Sequence, residues 1–458
     1  MKTKLFIIIT VAVAVPLFLS CESFIEADAP QSQLIGNEVF KNSATAEAAL
    51  SDIYARMREA GFASGSQNSA TLLIGSYADD FTFYGTNTNI QQFANHTLLP
   101  SNTLLAGLWN TAYAQVYAAN SIIEGVTASQ LIPAPDKERL LGEALFIRAY
   151  LHFYLTNLFG NIPYVTTTDY HYNSTAPKVA QQLVWESIVT DLLQAENLLP
   201  ENYYGSERIR ANRPVAQALL ARVYLFTGNW AQAEAYSSIL INNVQFTLEP
   251  DLSQLFLKES SSIIWALHPG LAGTNTIDAK TFYFTGGPPP KSSLSEALYN
   301  AFEAGDIRKD LWVKVISNGN GTWYMPYKYK QQAGTASSME YTIILRLEEQ
   351  YLIRSEARAH TGNMQGSKQD LDVIRTRAGL SPTIANDQNT LLGALLDERR
   401  FEFFTEQGLR WLDLKRTGNA AIVLGAVKPN WQPHHILLPL PEKELLLNTN
   451  LLPQNTGY

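Results

Sequence analysis

Two loop-like stretches of the chain combine aromatic rings with amide and carboxylate groups, which is the chemistry of a binding surface. The first, 76–101, is rich in Thr and Asn, and the second, 243–341, is rich in Gly, Ser and Pro. Aromatic rings cover the apolar face of a ligand, while amides and carboxylates hydrogen bond to its polar rim. Binding residues concentrate on loops that a rigid scaffold holds in place. The candidate ligand-binding residues are Tyr84, Asp80, Asn87, Phe93, Tyr283, Asn320, Trp323 and Tyr324.

The alternative for each of these aromatic residues is packing in the core. Trp323 follows a turn of alternating Asn and Gly at 318–321, so we expect its ring at a loop tip. Trp109 lies on an apolar stripe with helical spacing and is better explained as a core residue. We interpret Trp230 and Trp411 in the same way. The sequence therefore favours Trp323, together with Tyr84, as contacts to a ligand.

Motifs of common enzymes are missing from the sequence. It contains no HExxH, G-x-S-x-G, Walker or G-x-G-x-x-G motif. The seven His residues are scattered, and the adjacent His434 and His435 point in different directions, so we expect no metal and no cofactor. Asp79 and Asp80 are a candidate carboxylate pair for glycoside hydrolysis. We prefer the alternative that they are solvated or bonded to Asn and Thr in a loop, and we expect no enzymatic activity.

The composition restricts the class of protein further. Of 458 residues, 46% are hydrophobic, which is ordinary for a globular protein and excludes wholesale disorder. The formal net charge is -8 and no basic run is present, so we expect no binding to nucleic acid. The single Cys, Cys21, excludes an internal disulfide.

The first residues have the pattern of a bacterial lipoprotein signal. Lys2 and Lys4 precede an apolar run at 5–19, which is too short to span a membrane, and the run ends in Phe18-Leu19-Ser20-Cys21. This ending is similar to a lipobox, with Phe18 in place of the usual Leu. We predict a signal peptide at 1–20 and lipidation of Cys21; the alternative is an ordinary signal peptide followed by a free Cys.

Helical spacing recurs along most of the remaining chain. The segment 218–240 (ALLARVYLFTGNWAQAEAYSSIL) has tetratricopeptide spacing, with Gly228 at the turn between two helices. Segment 352–374 repeats this pattern in degraded form, with Gly362 at the turn. A further helix is predicted from a cap at Asp136 to about Leu158. The pattern predicts a helical-repeat scaffold.

Four blocks of sequence resemble the SusD/RagB family of surface nutrient-binding lipoproteins. The family has an E-x-x-F-x-R-A-x helix followed by an L-[FY]-G-[DN]-[IV]-P exit, and this chain has EALFIRAY and NLFGNIPYV. The blocks occur in the family's order and span nearly the whole chain after the signal. Their residues are 143–150 with 157–165, 371–380, 397–402 with 408–418, and the tail at 438–441, 447–451, 454–455 and 457–458.

The resemblance implies a mainly α fold: a tetratricopeptide-like helix-pair scaffold with loop-rich insertions. It implies one domain at 21–458, with the loop-rich insertion at about 243–341. It also implies an outer-membrane lipoprotein that faces the cell exterior, and a SusC-like TonB-dependent transporter as partner. Family members capture oligosaccharide, or in some cases peptide, for import. A pyranose has an apolar face and a hydroxyl rim, which suits the candidate residues, although no family motif fixes the ligand contacts.

Three alternatives and one structural expectation accompany this interpretation. The alternatives are peptide capture by the same fold, a surface glycoside hydrolase, and a periplasmic tetratricopeptide scaffold. The charged residues of the family blocks are expected to form structural ion pairs rather than a binding site. These residues are Asp397, Glu398, Arg399, Arg400, Arg148 and Arg410.

Overall fold

The computed structural model describes residues 36–458, and Cys21 lies outside them. The helices are α1 (Gly36–Val39), α2 (Ser43–Glu59), α3 (Ala70–Tyr77), α4 (Thr88–Asn95), α5 (Thr103–Ala128), α6 (Ala134–Phe159), α7 (Tyr170–Asn173), α8 (Gln181–Leu198), α9 (Arg213–Phe226), α10 (Trp230–Ile241), α11 (Ile277–Thr281), α12 (Glu296–Ala301), α13 (Ile307–Trp312), α14 (Leu347–His360), α15 (Met364–Arg377), α16 (Gln388–Phe403), α17 (Leu409–Arg416), α18 (Ala420–Val427) and α19 (Glu442–Leu447). The strands are β1 (Phe81–Phe83), β2 (Ile263–Leu267), β3 (Ser292–Leu294), β4 (Val313–Asn318), β5 (Gly321–Pro326) and β6 (Thr342–Arg346). The prediction of a mainly α fold is confirmed.

Pairs of neighbouring helices form the scaffold. Helix α6 packs against α5 and α8, while α9 packs against α10, and α14 against both α10 and α15. The turns after α9 and α14 contain Gly228 and Gly362, whose φ angles of 70° and 86° favour glycine. Ala221 and Ala233 are fully buried and let α9 and α10 approach closely. The predicted helix pairs are therefore present, with their turns at the predicted glycines.

Helix α6 is the centre of the larger core. It begins at Ala134, two residues before the predicted cap, because Pro133 occupies the cap position and Asp136 lies in the first turn. From Leu140 to Phe159 nearly every side chain is buried. Arg148 donates two hydrogen bonds of 2.7 Å to Asp191, as expected for a buried arginine that holds a carboxylate.

A four-stranded antiparallel sheet in the order β1-β3-β5-β4 joins the two loop-like stretches of the sequence. Phe81 pairs with Leu294, Leu294 pairs with Tyr324, and Tyr324 pairs with Val315. A separate pair, β2 and β6, lies within the helical core. The sheet brings the first candidate stretch beside the second, although more than 200 residues separate them.

The charged residues of the family blocks form buried ion pairs. Arg308 contacts Glu398 at 2.6 Å, and Arg399 contacts Asp413 at 2.7 Å. Removing one partner of a buried pair is costly because the other charge stays buried without compensation. The structural expectation is correct for these residues, whereas the side chain of Asp397 is exposed.

Candidate ligand-binding site

Strand β1 positions Tyr84 at the edge of the sheet. The backbone N–H groups of Tyr84 and Gly85 donate to the carbonyl of Lys291, at 2.7 and 3.2 Å, just beyond the last β1–β3 pair. The side-chain amide of Gln91 donates to the carbonyl of Gly85 at 3.1 Å. These bonds fix the backbone, while the Tyr84 side chain remains 42% exposed. A ring held in this way loses little entropy when a ligand stacks on it.

Tyr84 lies near a stacked pair of tyrosines, and the three form what we call the tyrosine cluster: Tyr84, Tyr299 and Tyr324. The rings of Tyr299 and Tyr324 are parallel within 16°, with centroids 4.0 Å apart. The ammonium of Lys309 lies 4.1 Å from the centroid of Tyr299. Burial raises the pKa of Tyr324, and the charges of Glu296, Tyr299 and Tyr84 raise it further. The cluster is therefore an aromatic surface with a basic group at one end.

A cavity of about 380 Å³, which we call the β1 cleft, is lined by Phe83, the residue directly before Tyr84. Its walls come from β1, from α4, from the start of α12 and from the chain after α18. Hydroxyl and amide groups line it beside the partly exposed ring of Phe83. The polar residues are Thr82, Gln91, Asn95, Ser295 and Asn430. The cleft offers several hydrogen-bonding groups next to aromatic rings, a combination that suits a ligand with hydroxyls and apolar faces.

The walls of the β1 cleft are held by charged groups from the C-terminal part of the chain. The carboxylate of Asp79 accepts hydrogen bonds from Arg410 at 2.8 and 3.1 Å, and Arg400 lies 2.7 Å from it. Burial would raise the pKa of Asp79, but Arg410 and Arg400 lower it below its ordinary value. The ammonium of Lys428 donates to the carbonyls of Ser76 and Ala94, at 2.8 and 3.0 Å.

Lys428 joins the ends of two helices that flank β1. Ser76 and Ala94 lie in the last turns of α3 and α4, where unpaired carbonyls carry partial negative charge. Burial lowers the pKa of Lys428 to about 8, although Asp79 and Asp80 oppose the change. The carbonyls at the two helix ends accept the hydrogen bonds that water would accept from an exposed ammonium. Lys428 is thus a structural support of the cleft wall.

Several predicted site residues lie on the surface, in different roles. Tyr84 and Tyr324 belong to the tyrosine cluster, and Tyr283 is 37% exposed on the neighbouring loop. Asn320 is exposed in the β4–β5 turn, where its backbone N–H donates to Asn318 at 2.8 Å. Asn87 caps α4 by accepting from the N–H groups at the start of that helix.

Three predicted residues are buried, so the expectation of exposure is wrong for them. Phe93 is fully buried beneath α4, next to Tyr77. Asp80 is buried beside Asp79, and its Oδ1 accepts no hydrogen bond among residues 36–458. The preferred alternative of a solvated or Asn- and Thr-bonded Asp79-Asp80 loop is also wrong, because the carboxylate of Asp79 is paired with arginines.

Trp323 is the third buried residue. It lies on β5 directly after the turn, and its ring packs with Phe284 and Met325. The backbone of Gly287 passes over the ring so closely that a Cβ there would be 2.0 Å from it. Burial raises the pKa of Tyr84, and the neighbouring Trp323 partly offsets the rise. Trp323 therefore supports Tyr84 from below instead of presenting its own ring.

Sequence reasoning missed Tyr299, Thr82, Gln91, Asn95 and Asn430. Tyr299 lies in a short helical pattern, which indicated scaffold rather than site. Its stacking on Tyr324 depends on the β3–β5 register, which the sequence does not display. Thr82, Gln91 and Asn95 lie inside the first candidate stretch, so their polar side chains in a loop-like region were an available signal.

Among residues 36–458, no group of three or more His, Cys, Asp or Glu side chains could hold a metal ion. No helix of this part of the chain has the length and apolar character needed to cross a membrane.

The fold and site together define a class: a scaffold of paired helices that presents aromatic rings and a polar cleft on an inserted sheet. Family models match two parts of the chain. One, described as "Starch-binding associating with outer membrane", matches residues 24–225, and the SusD family model matches residues 313–458. The chain belongs to the SusD/RagB family.

Known proteins are similar over nearly the full length. SusD-like protein P2 of Formosa agariphila is 28% identical over 496 residues, covering 94% of this chain and 95% of the relative. A SusD superfamily protein from Bacteroides vulgatus has a TM-score of 0.80 at 20% identity, covering 92% and 100% of the two chains. Surface glycan-binding protein A of Bacteroides thetaiotaomicron, solved with laminarihexaose, has a TM-score of 0.74 at 19% identity, covering 90% and 99%.

Proposed function

We propose that the protein is a non-catalytic, cell-surface glycan-binding lipoprotein that captures oligosaccharide and delivers it to a SusC-like TonB-dependent transporter. The observation that carries the proposal is the tyrosine cluster, with the exposed ring of Tyr84, beside the polar β1 cleft. Family membership supports it, and so does the structural relative that was solved with laminarihexaose. The site is expected to bind its ligand without a chemical step.

In the proposed complex, aromatic rings contact one part of the ligand and polar side chains contact another. The C–H face of a sugar ring stacks on the exposed ring of Tyr84, beside the half-buried ring of Tyr324, because aromatic rings are flat and apolar. Hydroxyls of the neighbouring sugar units exchange hydrogen bonds with Thr82, Gln91 and Asn95 in the cleft. The β1 strand connects both parts, so one oligosaccharide can contact them together.

The proposed location is the outer membrane, with the folded body on the external side. The support is the lipobox-like sequence at Cys21 and the outer-membrane description of the matching family model. Acyl chains on Cys21 would provide the anchor, since each buried CH₂ contributes about 0.8 kcal/mol. Protease treatment of intact cells tests the orientation: an external protein is degraded, whereas a periplasmic one is protected.

Calorimetric titration of the purified chain with laminarihexaose and a panel of other neutral oligosaccharides tests the binding function. We expect saturable binding to at least one glycan and no released product on prolonged incubation. Product release would replace the proposal with the glycoside hydrolase alternative. Binding of unstructured peptides but of no glycan would replace it with the peptide-receptor alternative, for which Gln91, Asn95 and Asn430 would bond to the peptide backbone.

Delivery to a transporter needs its own test. We expect affinity-purified protein from mildly solubilised outer membranes to carry a TonB-dependent barrel in equal amount. A lid on such a barrel should bury more than the standard interface of about 1,600 Å². Recovery of the protein alone after crosslinking of intact cells would contradict the proposed partner and leave the glycan-binding proposal in place.

A further inference from the structure

A second cavity, of about 490 Å³, shares none of its lining residues with the β1 cleft. Its walls are the middle of α5, the chain at 163–174 and the C-terminal segment at 444–451. We call it the α5 pocket. Its volume is within the range of small-molecule sites, and its lining mixes aromatic rings, amides and one carboxylate.

The aromatic wall of the α5 pocket is built on one helix. Trp109, Tyr113 and Tyr117 are spaced by four residues and therefore lie on one face of α5. Tyr113 is fixed by the contact of its ring with Trp109, 4.8 Å between centroids, and by its hydroxyl, which donates to Pro163 at 2.8 Å. Tyr117 lies at the end of this row and is 51% exposed. A rigid row thus ends in one accessible ring.

The polar wall contains acceptors and amides that the protein leaves unused. Glu444 is half-buried, and no salt bridge within residues 36–458 involves it. Asn173 donates to Thr167 at 2.8 Å, but its side-chain oxygen accepts nothing from the described chain. Burial raises the pKa of Glu444, which reflects loss of water around the carboxylate. A ligand that completes this wall must supply hydrogen-bond donors.

The side chains of Asn110 and Asn448 differ in whether they are free to hydrogen bond to a ligand. The side chain of Asn448 is fully engaged, since it donates to Ala176 at 2.8 Å and accepts from Asn450 at 3.0 Å, and it holds the two sides of the pocket together. The side chain of Asn110 is exposed and makes no hydrogen bond to residues 36–458. The pocket therefore has a fixed frame and a free amide at its rim.

A purely structural explanation covers only part of these observations. Glu444 lies in the first turn of α19, where a carboxylate is tolerated because of the partial positive charge of the helix start. That location does not account for the row of rings opposite the carboxylate or for the free amide of Asn110. The combination of an accessible ring with the unpaired carboxylate of Glu444 is instead complementary to a molecule with an apolar face and several donors.

We propose that the α5 pocket is a second saccharide-binding site, in which a sugar unit stacks on Tyr117 and donates hydrogen bonds to Glu444. The donors are hydroxyls of a neutral sugar or the ammonium of an amino sugar, which share this chemistry. The site uses none of the residues of the proposed first site. Two sites on one receptor raise the retention of a long chain, because the second contact becomes intramolecular.

The test compares four purified variants of the full chain by titration with laminarihexaose and with a hexamer of glucosamine. The variants are Tyr84→Ala, Tyr117→Ala, the Tyr84→Ala/Tyr117→Ala double variant, and Tyr84→Ala combined with Glu444→Gln. Tyr172→Ala is the matched control, because Tyr172 is 54% exposed but does not line the pocket. Thermal unfolding checks that each variant is folded, which we expect because the substituted rings are exposed.

The expected result is a residual binding event in Tyr84→Ala that the double variant loses, with Tyr172→Ala unchanged. Added to Tyr84→Ala, Glu444→Gln should weaken the residual binding about tenfold for the amino-sugar hexamer and less for laminarihexaose, which identifies the donor. The inference is overturned if no binding of either hexamer depends on Tyr117. If Tyr84→Ala alone removes all binding, the second site fails and the proposed function stands; if Tyr117→Ala alone removes it, the pocket stands and the first site is misplaced.

Discussion

Arg410 donates two hydrogen bonds to Asp79, a residue 331 positions earlier in the chain, with Nε–Oδ1 and Nη2–Oδ2 distances of 2.8 and 3.1 Å. Both side chains are buried, and Asp79 immediately precedes Asp80 and strand β1. A C-terminal block that identifies the family is thereby connected to the strand that presents Tyr84. The family signature and the candidate site are different residues, but one supports the other.

Arg410→Met should destabilise the protein by about 3–5 kcal/mol, because it leaves the buried carboxylate of Asp79 with Arg400 as its one remaining ion-pair partner among residues 36–458. Urea unfolding measures the loss. Arg56→Met is the control: Arg56 pairs with Asp52 at 2.6 Å, but both side chains are more than half exposed. Exposed pairs contribute about 0–1 kcal/mol, so equal losses in the two variants would contradict our interpretation of Asp79.

Gly287→Ala should destabilise the inserted sheet by about 1–3 kcal/mol, since the added Cβ would meet the ring of Trp323 at 2.0 Å and force the loop away. The neighbouring Gly286 provides a matched control, because no atom lies within 4 Å of its added Cβ. Gly286→Ala should therefore leave the unfolding free energy within about 0.5 kcal/mol of wild type. Similar losses for both would show that the glycines matter for backbone freedom and not for this close approach.

The close approach of Gly287 to Trp323 shows which features of the structure the sequence predicts and which it does not. The helix pairs, the turns at Gly228 and Gly362 and the buried ion pair of Arg148 follow from local spacing and residue type, so they were predictable. The burial of Trp323 was not predictable. A turn directly before this residue indicates exposure, but the backbone of Gly287 lies against its ring.

The β1 cleft illustrates a second limit. Its walls combine Thr82 and Gln91 with Ser295 and Asn430, which are separated by hundreds of residues and meet through strand pairing and the anchoring of Lys428. Local periodicity carries no information on such pairings. The first candidate stretch could be located from its composition, but which of its side chains point into a cleft depends on the β1–β3 register.

Asp80→Asn should change how stability depends on pH. Burial and the charge of Asp79 together raise the pKa of Asp80 to about 7, against the opposing charges of Arg400, Arg410 and Lys328. Because the native state holds this proton more tightly than the unfolded chain, the stabilisation is present below about pH 4 and is lost as the pH rises through about 7.

Asparagine keeps the neutral form at every pH. We therefore expect the stability of Asp80→Asn relative to wild type to increase between pH 4 and pH 8 in urea unfolding at matched ionic strength. Glu259→Gln, which removes an exposed carboxylate, controls for the change in net charge. A constant difference between Asp80→Asn and wild type across this range would show that Asp80 is ionised in the folded protein at all these values.

Tyr84→Ala and Trp323→Ala should separate binding from stability, although the two side chains are neighbours. Tyr84 is exposed in the tyrosine cluster, so its removal should weaken glycan binding about tenfold, or about 1.4 kcal/mol, without changing the unfolding free energy. Trp323 is packed under Gly287, so its removal leaves a cavity and should cost about 3–5 kcal/mol of stability.

Titration with laminarihexaose and urea unfolding of both variants measure the two effects side by side. Trp323→Phe is the informative third variant, because it keeps an aromatic ring in the packing with Phe284 and Met325 but removes the indole N–H. If the indole N–H helps to orient Tyr84, Trp323→Phe should bind more weakly while remaining close to wild-type stability. If Trp323→Ala instead keeps full stability and loses binding in the same measure as Tyr84→Ala, the ring of Trp323 contacts the ligand directly and its assignment as a support is wrong.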